Sequence, residues 1–364
     1  MEDIYRLLHK LALEPGPSGD EGPVALLIAE LWRPIVSSVE IDSLGNVIAV
    51  ARGSGTEPRQ IALLTAHMDE LGLMVKQLVS FPDEDGAGFI RISGIGGVDP
   101  RQLFGQRVWV HPSPAEAEPL AGVIGALPGR MLSQVKANEA YDLEVLVVDV
   151  GLSFTELRQL ISVGDFISFR RKPRKLLNER LTGKSLDNRA AVAAVTLALR
   201  LLSEREHSWD VLAVATVQEE TRLLGAASAA HRIWPDIAVV VDTTFGKGPG
   251  ANDEKVFELD GGPALGMGPN VHPGMTEALR RAAEALEIDV HTEVHGRHSG
   301  TEAFAVQVAR HGIPTGLVGI PVRYMHTLVE TVALRDIERV SRLLAHFFGS
   351  LDKTFTVQLR ERLR

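Results

Sequence analysis

His67 and Asp69 follow directly on the apolar run Ile61 to Ala66, and Glu219 and Glu220 stand just beyond a second run, Val211 to Val217. Asp242 closes a third, Ile237 to Val241, and a fourth, Thr315 to Gly319, leads through Pro321 to His326. The sequence contains no cysteine, so a metal ion here must be held by imidazole and carboxylate. Nitrogen and oxygen donors at several strand ends suit Zn, Co or Mn. Two divalent ions roughly 3.5–4 Å apart need a bridging carboxylate, terminal His and carboxylate ligands, and one base left uncoordinated. Adjacent Glu219 and Glu220 point in different directions, so one can bind metal while the other takes a proton from the attacking water. Asp69, two residues beyond His67, can accept the imidazole's second N–H and fix its tautomer. Singly, each has a plainer use: Asp187 suits a helix N-cap, Asp69 a solvated turn, and a lone His67 or His326 a satisfied polar residue. Their conjunction points to a metal centre.

The elements that must present these residues can be read from hydrophobic period. Ile4, Leu7, Leu8 and Leu11 have helical spacing, and a second helix runs through Ala25, Leu26, Ile28 and Leu31 after the turn at Pro15 to Gly22. Val39 and Ile41 alternate with polar residues, and Val47 to Val50 reads as their antiparallel partner. From Leu71 to Phe169 short strand-like runs separated by Gly and Pro predict a small inserted β-barrel or sandwich. Within it Ser153 and Glu156 form a capping-box pattern. Beyond Lys184, helices expected at Asp187 to Leu202, Gly225 to His231, Met275 to Leu286, Thr301 to His311 and Arg335 to Leu351 alternate with strands at Val211, Ile237, Val290 and Thr315. This alternation predicts an α/β fold with a mainly parallel sheet flanked by helices. Ligands in such sheets gather beyond the carboxyl ends of the strands, where the residues above stand. The domains expected are a catalytic one, residues 1–70 and 170–364, and the inserted β domain, 71–169.

Composition narrows the class. The 364 residues allow about two domains of roughly 150 residues, and 45% hydrophobic content fills their cores. A formal charge of -9 argues against a nucleic-acid partner, which wants clustered Lys and Arg. No run of about 18 apolar residues predicts a membrane span, and the start Met1-Glu2-Asp3 has no secretory pattern, so a cytoplasmic protein is expected.

Ala66-His67-Met68-Asp69-Glu70, Ser185-Leu186-Asp187-Asn188-Arg189-Ala190, Val217-Gln218-Glu219-Glu220, Val241-Asp242 and Pro321-Val322-Arg323-Tyr324-Met325-His326-Thr327 together resemble the M42 family of metallo-aminopeptidases. The family includes tetrahedral and glutamyl aminopeptidases, some formerly labelled cellulase M or endoglucanase. The resemblance spans essentially the whole chain. It implies that Asp187 bridges two metal ions, that His67 and Asp242 complete one position and Glu220 and His326 the other, and that Glu219 is the general base. It also implies peptide substrates with an unblocked α-amine, dimerisation through the inserted domain, and a homo-oligomer, a tetrahedral dodecamer.

Two stretches depart from the family pattern: Thr221-Arg222-Leu223-Leu224 after the Glu pair, and Glu302 where Asp is usual. In the family's register His291, His295 and His298 sit on a strand and loop that line the site rather than bind metal; Phe245, Met325 and the loop near Gly300 are expected to shape the specificity pocket. Rival readings are a related two-metal deacylase or carboxypeptidase, an inactive assembly scaffold, and a glycosidase using paired carboxylates. The last has no use for His67 and His326, and 5% aromatic content leaves few sugar-stacking platforms. A scaffold would gain nothing by holding buried carboxylates together.

Overall fold

The computed structural model describes residues 1–82, 86–113, 118–126, 141–251 and 253–361, and every statement below concerns these. Helix α1 (Glu2–Leu13) buries the expected Ile4, Leu7, Leu8 and Leu11, whereas α2 (Gly22–Trp32) buries Val24, Ala25, Leu27, Ile28 and Trp32 and leaves the expected Leu26 exposed. Strands β1 (Ser38–Ile41) and β2 (Val47–Ala51) pair antiparallel around a turn in which the Asp42 carboxylate accepts the N–H groups of Leu44, Gly45 and Asn46. The next strand, β3 (Ile61–His67), is buried along almost its whole length.

The chain then leaves the main sheet through β4 (Gly72–Phe81), β5 (Ala87–Ile95), β6 (Arg107–His111), β7 (Leu120–Gly125), β8 (Val147–Asp149), helix α3 (Phe154–Leu160) and β9 (Phe166–Phe169). These strands close into a barrel in the order β4-β5-β8-β7-β6-β9 around Val75, Ile90, Val108, Val110, Ile124 and Ile167. Of the two sequence expectations, barrel or sandwich, the barrel is found. Ser153 and Glu156 form the expected capping box on α3, but the strand expected over Leu143 to Val150 is split into a 3-10 turn, Leu143–Val145, and the short β8.

The remainder supplies β10 (Arg174–Leu176), β11 (Arg180–Gly183), α4 (Leu186–Ser203), β12 (Asp210–Thr216), α5 (Glu219–Arg222), α6 (Leu224–Ile233), β13 (Ile237–Phe245), β14 (Ala264–Met267), α7 (Pro273–Glu284), β15 (His291–Val294), α8 (Ala303–Gln307), β16 (Thr315–Arg323), β17 (Glu330–Ala333), α9 (Leu334–Gly349) and α10 (Phe355–Glu361). The main sheet has 11 strands, with the path β1-β2-β12-β3-β13-β16-β17-β11-β10, β14 pairing with β16 off this path and β15 pairing with β14. Its order corrects the sequence reading of a mainly parallel sheet. Only the centre, β12-β3-β13-β16, and the pair β14–β15 are parallel, whereas both flanks are antiparallel. Parallel neighbours need long crossovers, while short connections such as those joining β1 to β2 and β10 to β11 return the chain antiparallel.

Side-chain alternation covers both faces of this sheet. Ile237, Val239 and Val241 of β13 pack with α1, α2, α4, α7 and α9, whereas Ala238 and Val240 face α6 and α8. No helix is long and apolar enough to cross a membrane. Where β3 ends, Glu70 accepts the Gly16 N–H and forms a fully buried ion pair with Lys184, the two Nζ–O separations being 2.8 and 2.6 Å. This pair ties the turn after β3 to the segment entering α4. Replacing Lys184 by Met strands the Glu70 charge and is expected to cost about 3–5 kcal/mol, read by chemical denaturation.

Candidate active site

The parallel centre of the sheet brings the chemical residues level. Thr216 at the end of β12 pairs with His67 at the end of β3, and Val240 of β13 pairs with Thr65, so Asp242 stands beside His67. Asp187 lies at the entry to α4 and faces both imidazoles. His67 Nε2 is 3.3 Å from its Oδ1, and His326 Nε2 is 3.3 Å from its Oδ2. His67 Nε2 is also 3.7 Å from Asp242 Oδ1 and 3.9 Å from Glu219 Oε2, while His326 Nε2 is 3.8 Å from Glu220 Oε2. Donor atoms of His67, Glu219 and Asp242, and again of His67, Asp187 and Glu220, lie within 4.8 Å of one another.

Backbone geometry aims these side chains. Ser185 before Asp187, Gln218 before Glu219, and Tyr324 and His326 themselves have φ of 59°, 56°, 59° and 60°, a left-handed conformation that costs a non-glycine residue of order 1–3 kcal/mol. Local bonds hold them there. The Asn188 amide donates to Val241 O at 2.9 Å, joining the α4 entry to the end of β13. Asp69 receives the N–H groups of both Glu219 and Glu220, at 3.0 and 3.1 Å, one on each oxygen. At 3.4 Å from His67 Nδ1, Asp69 makes no hydrogen bond to the imidazole it is expected to orient; the contact it does make is an anchor on the Glu pair.

Sequence reasoning passed over four contributors. Glu330 accepts the N–H of Asp187 and of His326. Gln102, in the barrel, donates to His326 O at 2.8 Å and accepts the Leu328 N–H at 3.1 Å. A Cβ on Gly96, whose φ is 74°, would stand 3.3 Å from Glu220 Cβ, and one on Gly97 would stand 3.0 Å from His326 Nδ1. The barrel therefore forms one wall of the site. None of these residues carries a local motif; the Gly-Gly pair was the one visible signal of a close approach.

The electrostatics follow from crowding. Burial, reinforced by the charges of Asp242 and Glu220, pushes the Glu219 carboxyl up to about 10 against the pull of His67. Burial and the Asp187 charge raise Glu220 to about 8, and burial raises Asp242. Burial opposes the ionised form of Asp187 as well, but bonds from His326 and His67 overcome it and hold its pKa low. The Asp187 bond likewise lifts His326 to about 9, and the surrounding carboxylates raise His67 despite its burial. Burial and the Asp187 charge push Glu330 well up, against the two N–H donors on its carboxylate. Carboxylates packed this closely repel unless cations lie between them, and the donor set, oxygen and imidazole nitrogen without thiol, fits divalent metal.

The site opens into a cleft of about 710 Å³, which Phe245, Met325 and Gly300 line as expected. His295 and His298 line it too, without joining either donor group, whereas His291 packs against Phe257 with ring centroids 5.5 Å apart. Of the two departures, Thr221 to Leu223 face the cleft, while Glu302 is buried beneath it, hydrogen-bonded to Thr216 Oγ1 and raised by burial to about 7.

An open α/β sheet whose parallel strands end in a pocket of imidazoles and carboxylates defines a metal-dependent hydrolase. The sequence profile of the M42 glutamyl aminopeptidases matches residues 45–343, and the chain belongs to that family of peptidases, which use divalent metal. It is 34% identical to the lysyl aminopeptidase of Pyrococcus furiosus over 93% of this chain and 95% of that one. Among solved structures it is similar to an aminopeptidase from the archaeon Desulfurococcus kamchatkensis, with TM-score 0.89 and 34% identity over 99% of this chain and 98% of that one. It is also similar to the TET1 peptidase of Pyrococcus horikoshii, described as assembling into a tetrahedron or a large octahedral shell, with TM-score 0.81 and 28% identity over 96% of this chain and 100% of that one. The chain is an aminopeptidase, removing residues from the N-terminal end of peptides. Because Asp69 anchors both members of the Glu pair, Asp69→Asn, which exchanges one acceptor for a donor, is expected to lower turnover 10–100-fold with the melting temperature little changed, read by steady-state kinetics beside a thermal melt.

Proposed function

We propose that Asp187 bridges two divalent ions, one completed by His67 and Asp242 and the other by Glu220 and His326, and that Glu219 is the general base. The observation that carries this reading is the disposition of Asp187, whose two oxygens each face a different imidazole at 3.3 Å. Spacing alone would let Glu219 join His67 and Asp242 as a ligand. The family resemblance and the three donors already offered by His67, Asp187 and Asp242 favour leaving it free. Zn or Co suits these nitrogen and oxygen donors, with Mn a further candidate.

Ions bound there lower the pKa of water and polarise the scissile carbonyl. Glu219 accepts one proton from the attacking water as its oxygen bonds to the carbonyl carbon, then delivers that proton to the departing nitrogen as the C–N bond breaks. Asp69 keeps Glu219 and Glu220 in register through their N–H groups. The unblocked α-amine of a peptide is recognised by a carboxylate lining the cleft, and Phe245, Phe304 and Met325 offer apolar surface to the first side chain.

We read residues 1–70 and 170–364 as the catalytic domain and 71–169 as the dimerisation domain of a dodecamer. Supporting this, the barrel exposes Phe81, Phe104, Val123 and Val163, and the P. horikoshii relative assembles into closed shells.

Two experiments test the reading. Mass spectrometry of peptides offered with free and N-acetylated termini, with Co- or Zn-loaded protein and a chelated control, should show stepwise loss from free N-termini only, abolished by chelation. Trimming from the other end or loss of acetyl groups would point instead to a carboxypeptidase or deacylase, and no metal-dependent change to a scaffold. Glu219→Gln is expected to retain metal and lower kcat by roughly 10²–10⁴-fold; near-normal turnover would remove Glu219 from the role of base.

A further inference from the structure

The two imidazoles are held in different ways. His67 is 2% exposed at the end of a buried strand, and its place is set by the sheet. His326 has a side chain 44% exposed on a loop whose residues Tyr324 and His326 are both left-handed. With its ring half exposed and covered mainly on the side of Gly97, its direction depends more on its backbone than that of His67 does. The same holds for Asp187, whose φ of -80° and ψ of 102° lie outside helical values although it enters α4.

Glu330 connects the two. It opens β17, immediately after the loop that delivers His326, and pairs antiparallel with Gly183 of β11, which places it beside the segment entering α4. Its side chain is buried, and each oxygen serves a different loop: Oε2 accepts the Asp187 N–H at 3.1 Å and Oε1 accepts the His326 N–H at 2.9 Å. We propose that Glu330 is a positioning residue, a carboxylate clamp that sets Asp187 and His326 against each other and so determines occupancy of the metal position that they share with Glu220. It touches neither substrate nor reacting atoms. The inference rests on the two-metal reading above.

The clamp needs a carboxylate because it must accept from two convergent N–H groups. A glutamine has one acceptor oxygen and would turn its NH₂ toward the other N–H, placing donor against donor. The neighbouring position should suffer less: it shares the bridging Asp187, but its other two ligands, His67 and Asp242, ride on β3 and β13 and take nothing from Glu330, whereas the Glu220 position loses the aim of both Asp187 and His326. Loss of the clamp is therefore expected to weaken one ion far more than the other.

The test is calorimetric titration of the chelator-stripped full chain with cobalt chloride, comparing wild type, Glu330→Gln and Glu330→Asp. Wild type should take up two ions. Glu330→Gln should bind one only slightly more weakly and the other 10–100-fold more weakly. Glu330→Asp, which keeps both acceptors on a shorter stem, should show a smaller weakening of the same ion and decides the matter if the Gln variant does not fold. Raising the cobalt concentration should restore turnover to the Glu330 variants but not to His326→Ala. Two ions bound at wild-type affinity in both Glu330 variants would overturn the proposal, as would equal weakening of both ions with a lowered melting temperature, the mark of a general structural role. Uptake of a single ion by wild type would instead overturn the two-metal reading on which the proposal rests.

Discussion

Four carboxylates, Asp187, Glu219, Glu220 and Asp242, converge with His67 and His326 on one spot of the cleft, and their mutual repulsion and lost hydration set the terms for the rest of the molecule. Such a group is stable only if cations share it and the backbone resists pushing the ligands apart. The parallel centre of the sheet meets half of that demand by holding His67 and Asp242 on buried strands fixed by ladder hydrogen bonds on both sides. The other half falls on residues outside the strands, Asp187, Glu219, Glu220 and His326. Left-handed residues stand at or just before each of those segments, and buried acids hold them by their backbone N–H groups.

Those anchors share one chemistry. Asp69 and Glu330 are buried carboxylates, each dividing its two oxygens between two N–H groups, and in both cases the groups belong to candidate ligands or to the base. A charged acceptor makes a stronger hydrogen bond than a neutral one, and two donors on one acid fix a distance as well as a direction. Glu70 extends the scheme one step outward through its ion pair with Lys184, which fastens the turn carrying Asp69 to the segment carrying Asp187.

The inserted barrel belongs to this same support. Gly96 and Gly97 press on Glu220 and His326 so closely that a side chain at either position would intrude, and Gln102 holds the His326 loop by a carbonyl and an N–H. An insertion that the sequence presents as a separate domain thus supplies a wall of the active site. Motion of the barrel against the main sheet would reach the loop-borne imidazole before the strand-borne one.

By itself the sequence determined which residues are candidates for the chemistry and which strands carry them, because buried strands announce themselves as apolar runs and an acid or imidazole at the end of one stands out. His67, Glu219, Glu220, Asp242 and His326 were legible in this way, and Asp187 through the family's motif. The barrel was legible as a change of texture, and the helices on both faces as period. Tertiary structure alone decided that the sheet's flanks run antiparallel, that α8 ends at Gln307 rather than near His311, and that Glu330, Gln102, Gly96 and Gly97 belong to the site. The physical reason is range. Periodicity and capping depend on neighbours a few residues away, whereas a carboxylate that accepts from Asp187 and His326, or a glycine that makes room for His326, acquires its meaning only when distant segments are folded together.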